Sequence, residues 1–121
     1  MLDHIAVQVS DIAASAAFYD AVLAPLGGER KKKFGENISF GVTGHPLWLV
    51  PAKDLAPSRE VHIAFTAADR TAVDAFFAAA RAVGAEVLHA PQLWPAYHDS
   101  YYGAFVRDPD GNNVEAVCHR P

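Results

Sequence analysis

The chain has 121 residues, half of them apolar, and a formal net charge of −4 with six histidines counted neutral. That size gives one core-burying unit and not two ordinary domains, so the expectation is a single domain over 1–121. The acidic balance argues against a nucleic-acid surface, which needs clustered Lys and Arg, and no apolar run reaches the ~18 residues that would span a bilayer.

The chain opens on a strand, Leu2 to Val9, rich in β-branched residues. Asp11 then supplies a helix cap, and Ile12, Ala16, Tyr19, Val22, Leu23 and Leu26 recur at helical spacing until Gly27 and Gly28 stop the run. Short strands are predicted over Arg30 to Phe34, Asn37 to Val42 and Pro46 to Pro51. The run Arg30-Lys31-Lys32-Lys33 reads as a solvated edge strand. A linker over Ala52 to Arg59, holding Pro57 and Ser58, closes this first module (1–55).

The second module (59–121) repeats the first. His4, Asp11 and Phe18 return as His62, Asp69 and Phe76 at one constant offset, the mark of an internal duplication. Its strand covers Glu60 to Thr66, and its helix shows Val73, Phe76, Phe77, Ala80 and Val83 before Gly84. Strands over Glu86 to Ala90, Tyr101 to Arg107 and Asn112 to His119 follow, with a turn at Asp108 to Gly111. The pattern is two βαβββ modules.

Alternation along the strands places His4 opposite the helix-facing Ile5, Val7 and Val9, and it places His62 likewise opposite Ile63 and Phe65. Glu115 is the lone acid of an apolar last strand and needs a partner. Two imidazoles and one carboxylate form the facial set that suits a divalent ion such as Fe, Mn, Zn or Ni. The segment "QLWPAYHDSYY" gathers Trp94, Tyr97, His98, Tyr101 and Tyr102, and these aromatic groups with polar tips suit a small-molecule pocket. His98 is the candidate for proton transfer, and Trp48 with Phe40 the candidate apolar wall.

Three stretches, "LDHIAVQVSDIAASAAFYDAVLAPLG", "EVHIAF" and "YYGAFVRDPDGNNVEAVCH", resemble the vicinal oxygen chelate superfamily of glyoxalase, bleomycin-resistance and extradiol dioxygenase relatives. The resemblance implies an α+β fold of two βαβββ modules forming a curled mixed sheet around a cleft, with helices on the outer face. It places metal ligands at His4, His62 and Glu115. Trp48 stands where glyoxalase-like members carry a fourth-strand acid, and Phe105 where dioxygenases carry a tyrosine, so neither named reaction is matched in full.

The function implied is a divalent-metal-dependent lyase, isomerase or dioxygenase-like enzyme acting on a small oxygen-rich substrate. The alternative is a metal-free binder of a drug or metabolite, as in bleomycin-resistance relatives. A homodimer is expected, with modules paired within a chain or exchanged between chains. The single Cys118 cannot form an internal disulfide and the start of the chain lacks a secretory pattern, so a cytoplasmic address is expected.

Overall fold

The computed structural model describes residues 1–56 and 58–121; Pro57, part of the expected linker, lies outside the described residues. In chain order the elements are β1 (Ile5–Val9), α1 (Ile12–Leu23), a 3-10 turn (Ala24–Leu26), β2 (Glu29–Phe34), β3 (Asn37–Gly41) and β4 (Leu47–Pro51). Then come β5 (His62–Thr66), α2 (Arg70–Ala82), β6 (Val87–Leu93), β7 (Tyr102–Arg107) and β8 (Asn113–Cys118). No helix among the described residues is long and apolar enough to cross a membrane.

Both expected caps form. Asp11 accepts the backbone N–H of Ala14 at 3.0 Å and Asp69 that of Ala72 at 2.8 Å, so one free N–H of each first turn is satisfied by a side chain. The first α-helix stops three residues short of Leu26 because Pro25 has no N–H to continue the ladder. The chain tightens there into a 3-10 turn that Gly27 closes at φ 79°.

The strands build two mixed sheets, β1-β4-β3-β2 and β5-β8-β7-β6. In each, the first strand runs parallel to the last and the remaining pairs are antiparallel. The expectation of one curled sheet around a cleft is thereby corrected: the sheets are separate and open, and among the described residues no ladder joins β1 to β5. Strand alternation in sequence fixes which face a residue takes, but it carries no information about how one module meets the next.

Each sheet buries one face beneath its helix. Val7, Val9, Phe40, Leu47 and Leu49 meet α1, while Ile63, Ala104, Val106, Val114 and Ala116 meet α2. The helices also pack on each other. β6 runs further than expected, through Pro91 to Leu93; it is an edge strand with two register breaks, where a residue lacking an N–H is tolerated.

The modules are joined by a buried polar latch. Fully buried Tyr19 on α1 donates its hydroxyl to Asp108 Oδ2 at 2.8 Å across the module boundary. Asp108 also accepts from Asn112 Nδ2 and from the backbone N–H groups of Asp110 and Asn112, so this buried carboxylate is fully engaged. The turn needs Gly111 at φ 87°, and beside it Asp110 accepts the Ser10 N–H at 3.0 Å. Burial first, and the Asp108 charge second, push the Tyr19 phenol above its ordinary range.

Tyr19→Phe is expected to lower unfolding free energy by about 2 kcal/mol, read from urea midpoints, because a buried carboxylate loses one donor. The sign with pH follows from the raised phenol. The unfolded tyrosine releases its proton near pH ~10 while the folded one does not, so Tyr19's contribution is complete below that pH and shrinks above it. The wild type should therefore lose stability more steeply above about pH 10 than the Tyr19→Phe variant.

Candidate functional site

The open face of the second sheet centres on Glu115. The parallel register sets His62 beside Asn113 and Ala64 beside Glu115, so the histidine and the acid rise from neighbouring strands on one face. The carboxylate is 1% exposed, which makes it the most deeply buried charge in that sheet. Its Oε2 lies 3.1 Å from His62 Nε2, and its Oε1 accepts the Tyr101 hydroxyl at 2.5 Å. His62 Nδ1 lies 3.2 Å from the Asn113 carbonyl oxygen. Both nitrogens of that ring thus face acceptors, an arrangement that the imidazolium satisfies in full.

Gly103 makes room for this group. A Cβ at that position would stand 3.1 Å from Glu115 Oε1 and 3.4 Å from Tyr101 Cε1, tighter than a relaxed packing accepts. Nothing in the sequence pattern singled out Gly103, because its role appears only when β7 is laid beside β8. Burial first, then the hydrogen bond to Glu115, push the Tyr101 phenol above its usual range.

Rings border the carboxylate in an unbroken series. His62 stacks on Phe105 with centroids 6.1 Å apart, and Phe105 meets Trp94 edge-on at 5.2 Å. Trp94 stacks on Tyr97 and Tyr97 leans on Tyr101, with Trp94 Nε1 anchored by donation to the Gly103 carbonyl at 3.2 Å. Edge-to-face and offset contacts of this kind hold aromatic walls rigid. His98 extends the border. The Ser100 N–H donates to its Nδ1, so the proton of the neutral ring lies on Nε2, 2.8 Å from His119 Nδ1.

The remaining candidates lie elsewhere. Tyr102 faces α2, where its hydroxyl donates to Asp74 at 2.8 Å and Arg70 sits over its ring, so adjacent tyrosines serve opposite faces. Phe40 lies fully buried in the core against Tyr19, whereas Trp48 stands on the open face of the first sheet; the β3–β4 register pairs Phe40 with Leu47 and Ser39 with Trp48, which puts the expected pair on opposite faces. Arg107, just before the turn, bonds Glu60 at 2.8 Å and the Gly111 carbonyl.

His4 lies just outside β1, on the first sheet's open face, with Nδ1 2.5 Å from Asp3 Oδ1. Among the described residues no group of three or more His, Cys, Asp or Glu side chains is placed to hold a metal ion. The expected divalent ion (Fe, Mn, Zn or Ni) on His4, His62 and Glu115 is therefore corrected. Two of the three do meet, but His4 belongs to the other sheet, and the two oxygens of Glu115 already hold Tyr101 and His62. The donor set does not fit a cation.

Comparison with known proteins agrees with the architecture. The uncharacterized protein YqjT of Bacillus subtilis (strain 168) is 32% identical over 125 residues, covering 97% of this chain and 98% of that one. A glyoxalase/bleomycin resistance protein from Albidiferax ferrireducens T118 superposes with a TM-score of 0.83 at 27% identity, covering 94% of this chain and 95% of its own. Lactoylglutathione lyase from Agrobacterium tumefaciens superposes with a TM-score of 0.69 at 27% identity, over 94% and 90%. The family profile of the Glyoxalase/Bleomycin resistance protein/Dioxygenase superfamily matches residues 1–116, and the chain belongs to that superfamily.

Proposed function

We propose that the chain is a metal-free binding protein for a small molecule, which it takes on the open face of the second sheet. The observation that carries this reading is the engaged state of Glu115: a carboxylate at 1% exposure, with Tyr101 on one oxygen and His62 on the other, acts as a fixed polar floor and not as a free ligand. Trp94, Tyr97 and Tyr101 offer ring surface around it, with Tyr97 61% exposed and so accessible to a ligand ring. His98, whose two ring nitrogens hold the Ser100 N–H and His119, is assigned the polar rim of this face, where it shapes the edge of the ligand surface.

Pairing of two chains completes the proposal. Each sheet covers only one face with a helix, which leaves the opposite face open in both. A homodimer would give light scattering at twice the 13.0 kDa chain mass, and a species of chain mass alone would remove this part of the reading.

Two experiments test the binding reading. Tag-free protein dialysed against a chelator and then titrated with metal-free bleomycin, the ligand for which the superfamily's resistance proteins are named, is expected to show saturable tryptophan quenching. Stoichiometric metal in the purified protein, with uptake that depends on it, would overturn the reading. Tyr97→Ala should weaken uptake about tenfold through loss of one stacking partner. Gly103→Ala should weaken uptake at least as much by displacing Glu115 from Tyr101, with the displacement visible as a changed Tyr101 ring signal in NMR.

A further inference from the structure

The aromatic border of the second sheet ends in a contact between two histidines from distant parts of the chain. His98 sits near the tip of the 94–101 loop, and His119 follows the last residue of β8. The loop is tied by its own backbone, with the Trp94 N–H donating to the Tyr101 carbonyl at 2.8 Å and the Tyr101 N–H to the His98 carbonyl at 3.1 Å. Its tip meets the end of β8 through rings. The two imidazoles lie 5.1 Å apart and tilted by 27°, with His98 Nε2 2.8 Å from His119 Nδ1.

Two contacts fix every proton on this pair. A backbone N–H can only donate, so the Ser100 N–H at 3.1 Å makes His98 Nδ1 an acceptor and leaves that ring's proton on Nε2. His98 Nε2–H then donates to His119 Nδ1, which leaves the His119 proton on Nε2. A further proton has no place. On His98 Nδ1 it would face the Ser100 N–H, and on His119 Nδ1 it would face the His98 N–H, donor against donor in both cases. The chain from Ser100 through His98 to His119 therefore exists only while both imidazoles are neutral, and imidazoles charge just below neutral pH.

The titratable groups packed around the pair are Tyr101, whose ring meets both imidazoles edge-on, Tyr97, which leans on that ring, and Glu115, which accepts the Tyr101 hydroxyl. Asp99 and Arg120, of opposite charge, flank the pair along the chain. Among the described residues no carboxylate bonds either imidazole, so none offsets a second proton there. We propose that the His98–His119 pair is an acid-released catch: neutral, it holds the tip of the 94–101 loop, with Tyr97, against the end of β8, and charged, it lets the tip go. Its effect on a ligand rests on the binding reading above, in which Tyr97 is part of the ligand surface. The held form takes no extra proton on the pair and the released form takes two. The catch is thus complete above the ordinary imidazole range, near pH ~6.5, and is lost as pH falls through it, by up to about a hundredfold per pH unit.

The catch is tested first without any ligand, on the full chain labelled with ¹⁵N and followed by NMR from about pH 8 to about pH 5. At the upper end His98 Nδ1 and His119 Nδ1 should both give the signals of unprotonated ring nitrogens. On acidification the ring nitrogens of both residues and the Ser100 amide should change together, in a step steeper than one proton gives. His119→Phe, at an exposed position, keeps a ring against His98 but cannot accept its N–H. That variant should titrate as a one-proton step, with the Tyr97 amide at about pH 8 already where the wild type arrives only in acid. Bleomycin quenching at both ends should weaken at least tenfold more in the wild type than in His119→Phe, a ratio from which bleomycin's own titration cancels. A protonated Nδ1 on either ring at the upper end, a Ser100 amide indifferent to the imidazoles, or an equal pH response in the variant would each overturn the proposal. The first two are read with no ligand present, so a failure of bleomycin to bind counts against the binding reading and not against the catch.

Discussion

The Tyr19–Asp108 hydrogen bond, backed by Asp110 on the Ser10 N–H and by the packing of α1 on α2, holds the two modules in their relation. Tyr19 reaches across from α1 to Asp108, and Asp108 organises the turn that leads into β8. The backbone ladders stop at each sheet's edges, so side-chain contacts and helix packing carry the coupling between halves. A hydrogen bond buried beyond the reach of water is stronger than one at the surface, and it penalises any arrangement that leaves either partner bare. Because β8 begins next to that turn and carries Glu115, the latch also sets where the carboxylate stands.

Much of this fold is legible in the letters of the chain. The recurrence of His4, Asp11 and Phe18 as His62, Asp69 and Phe76 announces two copies of one module, and Asp11 and Asp69 act as caps where expected. Strand alternation also identifies the helix-facing residues of β1 and β5. What alternation cannot supply is the placement of one module against the other, and for that reason a converging set of His4, His62 and Glu115 looked plausible. The meeting of His62 with Glu115 was legible because parallel β5 and β8 are neighbours within one module. The position of His4 depended on a boundary that no local pattern encodes.

The same limit holds within a module. Phe40 and Trp48 look like one apolar wall, yet the β3–β4 register pairs Ser39 with Trp48 and turns Phe40 inward. Tyr101 and Tyr102 look like equal members of one aromatic loop, but β7 starts between them and sends one to Glu115 and the other to Asp74. Gly103 has no side chain to draw attention, although the packing of the buried acid rests on its smallness. Residue type indicates chemistry, while position in a ladder decides whether that chemistry is used.

The borders of the two sheets differ in their protection. β2 carries the lysine run, and β6 carries Pro91 with two breaks in register, features that discourage an incoming strand. β1 and β5, the other two outermost strands, carry neither device. They are also the duplicated pair that share the letters His-Ile-Ala. Unwanted stacking of chains into fibrils is thereby blocked along half of the available rails, and the two left unguarded are copies of each other.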